Sequence, residues 1–235
     1  MNTVAGNLST SVGTVNRPNL KNVVAAQVRG LIFSGRLLPG ARIDQEGLAV
    51  QLGVSKLPVR EALMTLEQEG LINILPRRGA YVATLSRVDV ADHYNLFGLV
   101  SGIAAERAAT NLTDEELDAL EGYLVAMEQG DESVRADLNF QFHRTINRAS
   151  RSRRLMSVIG LLSNTFPPDM WTANEGWPEY AHKDHRRVLA ALRARDGKAA
   201  REGMEAHLRA GAERAIQSLE KIGFWNEGDD PAAKG

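Results

Sequence analysis

Cysteine is absent from this chain of 235 residues, and its absence excludes several kinds of chemistry. Without cysteine there is no disulfide, no thiolate nucleophile and no zinc site with sulfur ligands. The chain also lacks a run of about 20 apolar residues, the length that a membrane-spanning helix needs. Its beginning lacks the basic-then-apolar order of a secretory signal. We therefore expect a soluble, cytoplasmic protein with no membrane partner, whose metal ligands would be His, carboxylate or amide groups.

A large excess of either charge is also absent, because 28 Lys and Arg residues face 29 Asp and Glu residues. The charges are nevertheless unevenly distributed. Residues 20–84 contain eight basic and five acidic side chains, whereas the chain after residue 84 contains 19 and 24. This asymmetry indicates a polyanion-binding region in the first part of the chain.

Apolar periodicity divides the chain into four segments. The first is rich in Ser, Thr, Asn and Gly and has no apolar repeat. The second shows three helical patterns and then two short strands joined by a turn, which predicts a winged helix-turn-helix. After Thr84 only helical patterns follow. We therefore predict a disordered arm, a winged helix-turn-helix, an all-helical domain and a flexible tail, with the bounds 1–18, 19–85, 86–223 and 224–235.

Two capping boxes mark helix starts in the all-helical segment. Ser86 is followed three residues later by Asp89, and Thr113 by Glu116. The predicted fold class is mainly α. We expect helices near 87–110, 113–129, 132–150, 153–166, 178–194 and 197–221.

The segment from Leu48 to Leu63 has the pattern of a helix-turn-helix. Gly53 permits the tight turn, and Ser55 is expected to cap the second helix. The first residues of such a helix point into the major groove of DNA. We therefore expect base or phosphate contacts from the exposed side chains at its start and one turn later, namely Ser55, Lys56, Leu57 and Arg60.

The turn between the two predicted strands is basic. It reads Pro76-Arg77-Arg78-Gly79, and we expect this wing tip to reach the DNA backbone or the minor groove. An exposed basic face without any DNA role would show the same spacing, so that alternative stays open at this point.

This segment resembles the winged helix of the GntR family of transcription regulators. The family's usual run is close to Ser-Arg-Thr-Pro-Val-Arg-Glu-Ala-Leu, followed by Glu-Gly-Leu and Arg-Arg-Gly; here the chain reads SKLPVREAL, EGL and RRG. The resemblance implies a DNA-binding regulator. Lys56 replaces the family's Arg and Leu57 its Thr, so we expect an operator that deviates from the commonest one.

Three of the five histidines form a candidate metal site with an asparagine. Asn139 and His143 are four residues apart and share one face of a helix, and His185 and His207 lie on the last two predicted helices. Three imidazoles and one oxygen can hold a divalent ion with positions left open. Helical histidines are more often structural, and the spacing alone leaves both alternatives.

The helical segment resembles the ligand-binding domain of the FCD branch of the same family. The carrying features are Phe142-His143, His185-Arg-Arg-Val-Leu-Ala-Ala-Leu192 and His207-Leu208. The resemblance implies an antiparallel helical bundle with a site of three His and one Asp for zinc, nickel or manganese. Asn139 replaces that Asp. Many relatives have an Arg and then a Glu where this chain has Gly98 and Ser101.

Together with these patterns, the family resemblance implies a homodimeric repressor rather than an enzyme. It would bind double-stranded operator DNA and respond to a small carboxylate effector, near which we expect Ser101 and His182. Two alternatives stay open: a metal-dependent enzyme that uses the three histidines, and a regulator for which the metal ion itself is the signal. The absence of an evident general base near the histidines counts against the enzyme.

Overall fold

The computed structural model describes residues 19–130, 132–166 and 177–225. The predicted arm and most of the predicted tail lie outside these ranges. The first described part is a winged helix with three helices and a three-stranded sheet. Its elements are α1 (Leu20–Phe33), β1 (Arg42–Ile43), α2 (Gln45–Leu52), α3 (Lys56–Gln68), β2 (Ile72–Leu75) and β3 (Gly79–Val82).

A tight turn joins α2 to α3. Asp44 caps α2, because its Oδ1 accepts hydrogen bonds from the backbone N–H groups of Glu46 and Gly47. Gly53 ends α2 with a φ of 63°, a conformation that favours glycine. Ser55 occupies the N-cap position of α3, but its side chain makes no capping hydrogen bond. The predicted side-chain cap is therefore wrong, although the predicted helix start is observed.

The sheet has the order β1-β3-β2, and both strand pairs are antiparallel. Strands β2 and β3 form the wing. At its tip Arg78 donates its backbone N–H to the carbonyl of Leu75 at 3.0 Å, and Arg77 has a φ of 60°. The sequence pattern does not predict β1, since two residues are too few to show an alternating pattern.

The second described part contains six helices, and the predicted mainly α fold class is confirmed. Both predicted capping boxes are present, Ser86 with Asp89 and Thr113 with Glu116. No helix in the described ranges is long and apolar enough to cross a membrane. The bounds are α4 (Arg87–Asn111), α5 (Asp114–Gln129), α6 (Glu132–Ala149), α7 (Arg153–Ser163), α8 (Trp177–Arg193) and α9 (Gly197–Lys221).

Helices α4 and α9 approach closely through glycines. A Cβ at Gly102 would lie 2.7 Å from Cγ of Glu205, and a Cβ at Gly98 would lie 3.4 Å from the carbonyl oxygen of Glu205. Large side chains at these positions would push the two helices apart. A side chain longer than that of Ala at Gly98 would meet the backbone of α9.

One hydrophobic core joins the winged helix to the helical part. Phe33 of α1 packs on Phe166 with ring centroids 4.9 Å apart, and Tyr94 of α4 stacks on Phe166 with ring centroids 5.3 Å apart. Buried apolar residues of α9 complete this core. The two parts are therefore in direct contact through aromatic side chains.

Two residues assigned to the flexible tail belong to this junction. Phe224 is 2% exposed and Trp225 is 9% exposed. The indole N–H of Trp225 donates to the carbonyl of Leu85, and its ring lies beneath the guanidinium of Arg87 at 4.6 Å. The prediction of a flexible tail is wrong for these two residues, because both side chains cover the contact between α9 and the winged helix.

Candidate functional site

The residues predicted to contact DNA occupy exposed positions on α3 and the wing. Leu57 is 65% exposed and so contributes little to the core. Six of the seven predicted residues are exposed, and Gly79, at the start of β3, is partly buried. The six are Ser55, Lys56, Leu57, Arg60, Arg77 and Arg78.

A cleft of about 540 Å³ lies beside these residues, between α3 and the wing. Arg42, an exposed residue of β1, is not predicted from the sequence, because that strand has no detectable pattern. Its place in a basic segment was the only signal. The cleft is lined by Arg42, Ile43, Asp44, Gln45, Glu46, Lys56, Arg60 and Gly79.

The basic side chains of the cleft differ in their partners. Lys56 Nζ lies 2.5 Å from Oε1 of Glu46, and both side chains are exposed. Arg42 and Arg60, in contrast, have no hydrogen bond or ion pair with any residue that the structure describes. Two unpaired guanidinium groups therefore face one cleft on the predicted DNA-binding side.

The structure brings the three predicted metal ligands together from three helices. His143 lies on α6, His185 on α8 and His207 on α9, and one ligand atom of each lies within 4.8 Å of the others. Nε2 of His143 is 3.3 Å from Nε2 of His185. Two nitrogens bound to one tetrahedral zinc ion at its usual bond length are about 3.4 Å apart. The spacing therefore fits a metal ion.

The environment keeps the three imidazoles neutral. Burial lowers the pKa of His143 to about 3, and it lowers the pKa of His185 well below its usual range. Burial also lowers the pKa of His207. A neutral imidazole is the form that binds a metal ion, so the site needs no deprotonation at neutral pH.

Three further predicted residues lie on the same or neighbouring helices. Asn139 is one turn before His143 on α6, and its buried Oδ1 accepts no hydrogen bond from the described residues. The Oγ of Ser101, which is 1% exposed, has no described partner either. The same holds for both ring nitrogens of His182, whose pKa is lowered by burial.

Two charged residues near the histidines were missed by the sequence analysis. Asp184 Oδ2 lies 3.7 Å from Nδ1 of His207, and the proximity of that imidazole lowers the pKa of Asp184. Arg214 follows His207 by seven residues, so both lie on one face of α9. Its charge reaches His207 and Asp184, and burial lowers the pKa of Arg214. The seven-residue spacing from His207 could have indicated Arg214.

Comparison with known proteins matches both parts of the chain to described families. Residues 20–82 match the bacterial regulatory proteins of the gntR family, and residues 92–210 match the FCD domain. An HTH-type transcriptional regulator of Mycobacterium tuberculosis is 31% identical over 182 residues, which is 77% of this chain and 75% of that protein. A probable D-xylose utilization operon transcriptional repressor of Paenarthrobacter nicotinovorans is 30% identical over 81% of this chain and 88% of its own length.

A second repressor and a solved structure agree with this assignment. The Escherichia coli HTH-type transcriptional repressor RspR is 27% identical over 80% of this chain and 86% of its own length. The structure of E. coli McbR/YncC is similar with a TM-score of 0.64 and 25% identity, covering 86% of this chain and 99% of that one. The chain belongs to the GntR family of DNA-binding transcription regulators, in the branch with an FCD domain, and it is not an enzyme.

Proposed function

We propose that the chain is a metal-binding repressor controlled by a small carboxylate effector. The observation that carries the proposal is the convergence of neutral His143, His185 and His207. Asn139 lies one helical turn before His143, and its buried amide oxygen has no described donor. These four residues would hold zinc, with nickel or manganese as the other suitable ions. A bound ion would supply positive charge and an open coordination position for an oxygen ligand.

The charge of the site supports an anionic effector. Three imidazoles and an amide leave a divalent ion with its full charge of +2, whereas the Asp that the family uses in place of Asn139 would reduce it to +1. Arg214 adds positive charge close to His207, which Asp184 partly offsets. A carboxylate would supply both the missing negative charge and an oxygen ligand. The unsatisfied polar atoms of Ser101 and His182 are then candidates for further effector contacts.

The proposed output is repression by a homodimer acting on DNA in the cytoplasm. Two of the relatives are named repressors. We place α3 in the major groove and the tip of the wing on the neighbouring backbone or minor groove. An exposed apolar stripe on α4, formed by Val88, Leu96 and Leu99, would contact a second copy of the chain. A second copy is needed because an inverted-repeat operator requires two winged helices, one for each half-site. We call each of these DNA-binding winged helices a head.

The proposal is tested by measuring operator binding against metal and effector together. The operator is first selected from random duplexes with the purified full-length protein. Fluorescence anisotropy then follows its binding to metal-stripped protein, to zinc-loaded protein, and to zinc-loaded protein with each member of a panel of small carboxylates. His185→Ala is the test variant, and His93→Gln is its control, since His93 lies outside the three-histidine cluster.

We expect one carboxylate to release zinc-loaded wild-type protein from the operator and to have no effect on His185→Ala. The same carboxylate should stabilise the zinc-loaded protein, by about 2.7 kcal/mol at a hundred times its dissociation constant. Operator binding that follows zinc alone, with no response to any carboxylate, would establish the metal-sensor alternative instead.

A further inference from the structure

Arg42 and Arg60 both line the cleft between the wing and α3. They come from different elements, since Arg42 belongs to β1 and Arg60 to α3. Both line the same cleft, and neither has a hydrogen bond or ion pair among the described residues. Asp44 and Glu46 also line the cleft, but neither forms an ion pair with these arginines, whose positive charge can therefore attract an anion.

The local fold holds Arg42 in this position. Strand β1 pairs with β3, which places Arg42 opposite Tyr81 at the base of the wing. A Cβ on Gly79 would lie 3.4 Å from Nε of Arg42, so the bare glycine lets the guanidinium lie against β3. Gly79 also has a φ of 106°, which a residue with a side chain adopts only with strain. Gly79 therefore both permits the backbone conformation at the turn and leaves space for the guanidinium of Arg42.

The acidic residues of the cleft are already engaged. Asp44 accepts two backbone hydrogen bonds at the start of α2. Glu46 forms an ion pair with Lys56. Asp44 keeps its negative charge, so the three basic and two acidic side chains of the cleft leave a net charge of +1.

DNA geometry identifies the anion. When α3 lies in the major groove and the wing lies at the neighbouring minor groove, one sugar-phosphate backbone must pass between them, because that backbone separates the two grooves. The cleft of Arg42 and Arg60 lies at that place. We propose that Arg42 is a DNA-contacting residue that binds a backbone phosphate in this cleft, beside the base edge that Arg60 reaches. This inference rests on the proposed position of α3 in the major groove.

The proposed contact is independent of base sequence, and this property provides the test. Affinity is measured for two duplexes, the selected operator and an arbitrary sequence of equal length, at several salt concentrations. The variants are Arg42→Ala, Arg42→Lys and, as a control that removes one positive charge elsewhere on the winged helix, Arg36→Ala. Circular dichroism and the melting temperature verify that each variant is folded.

We expect Arg42→Ala to weaken binding to both duplexes by the same factor. The loss should be roughly tenfold per head near 0.1 M salt, and the slope of log affinity against log salt should become shallower by about 0.9 per head. Arg42→Lys should retain the slope because it retains the charge. Arg36→Ala should change neither affinity nor slope by a comparable amount.

Two results would overturn the inference. If Arg42→Ala binds both duplexes as Arg36→Ala does, Arg42 does not contact DNA. If it loses affinity for the operator alone, Arg42 contacts a base edge and not a phosphate. Failure of the proposed placement of α3 is distinguishable from both, because Arg60→Ala would then also bind like the wild type.

Discussion

The Nε2 atoms of His143 and His185 lie 3.3 Å apart, although the two residues are 42 positions apart in the sequence. The rings come from α6 and α8, and His207 of α9 joins them with its ring centroid 4.4 Å from that of His185. Each neutral imidazole has one nitrogen with a free lone pair, and the cluster brings one ligand atom of each ring within 4.8 Å of the others. A shared metal ion would bind all three lone pairs, and the first two predictions test this.

The purified protein should bind about one divalent ion per chain, as the number of ligands indicates. Replacing His143, His185 or His207 by Ala should lower both the metal content, measured by mass spectrometry of metals, and the melting temperature. Loss of a metal present at a hundred times its dissociation constant removes about 2.7 kcal/mol of stability. For a chain of this size that is a decrease of roughly 5–10 °C. His93→Gln should retain the metal, and equal metal content in all variants would contradict the site.

Asn139→Asp should tighten metal binding and weaken effector binding. The new carboxylate lowers the net charge of a loaded site from +2 to +1, so it stabilises the ion and competes with an anionic effector. Calorimetry with zinc and with the carboxylate found in the screen measures both effects. If Asn139→Asp binds that carboxylate as tightly as the wild type at equal metal content, charge compensation is not how the effector is recognised.

Arg60→Ala should remove operator preference while the fold is retained, since Arg60 is exposed and has no described partner. The loss of a good base contact costs about 1–3 kcal/mol on the operator. Arg77→Ala or Arg78→Ala should instead weaken all duplexes alike and flatten the salt dependence by about 0.9 per lost phosphate contact. A selected operator bound by Arg60→Ala with unchanged preference would refute the base contact.

Local signals predicted much of this molecule. The capping boxes at Ser86 and Thr113 lie at the observed helix starts, and Gly53 forms the turn between α2 and α3. The three histidines were also predicted, because the FCD resemblance supplied a long-range pairing that spacing alone does not contain.

The features that were missed depend on contacts between distant segments. Arg42 lies at the cleft only because β1 pairs with β3, which is nearly forty residues later. The buried residues of the tail follow Gly223, the kind of residue that often ends a helix. Gly223 has a φ of 69°, and the backbone N–H of Phe224 donates to the carbonyl of Leu219. This helix ending commonly returns a hydrophobic residue onto the helix. The contacts of Trp225 with Leu85 and Arg87 could not be predicted from this helix ending.

Glu46→Gln should strengthen DNA binding. Glu46 holds Lys56 in an exposed ion pair and also adds a negative charge to the cleft. An exposed ion pair contributes little to stability, so the free energy of unfolding of the variant should lie within about 1 kcal/mol of the wild-type value. Lys56 would be free to contact a phosphate, and the slope of log affinity against log salt should steepen by roughly 0.9 per head.

Glu61→Gln, which removes an exposed carboxylate outside the cleft, is the matched control. Equal gains in both variants would indicate a general charge effect.

The junction between the two parts of the protein should weaken in acid because of His93. This imidazole packs against Phe166 with centroids 4.8 Å apart, and burial lowers the pKa of His93 to about 4 although a hydrogen bond with the backbone of Leu162 opposes the shift. Two carboxylates, Glu69 and Asp89, line the cavity that His93 faces. Both are already engaged, Glu69 by Arg29 and Asp89 by the capping box of α4.

In the unfolded chain the imidazole of His93 protonates near pH 6.5, whereas in the folded chain it stays neutral down to about pH 4. Between these values the unfolded state binds more protons, so stability falls as the pH falls through this window. A pKa shift of this size corresponds to a loss of about 3 kcal/mol of stability by pH 4.

His93→Gln has no group at position 93 that titrates in this pH window. It should therefore lose less stability than the wild type when urea unfolding at pH 7 is compared with unfolding at pH 4.5. The buried metal-site histidines titrate in both proteins and cancel in the comparison. Identical losses in the two proteins would show that His93 is protonated in the folded state or is solvated at the junction.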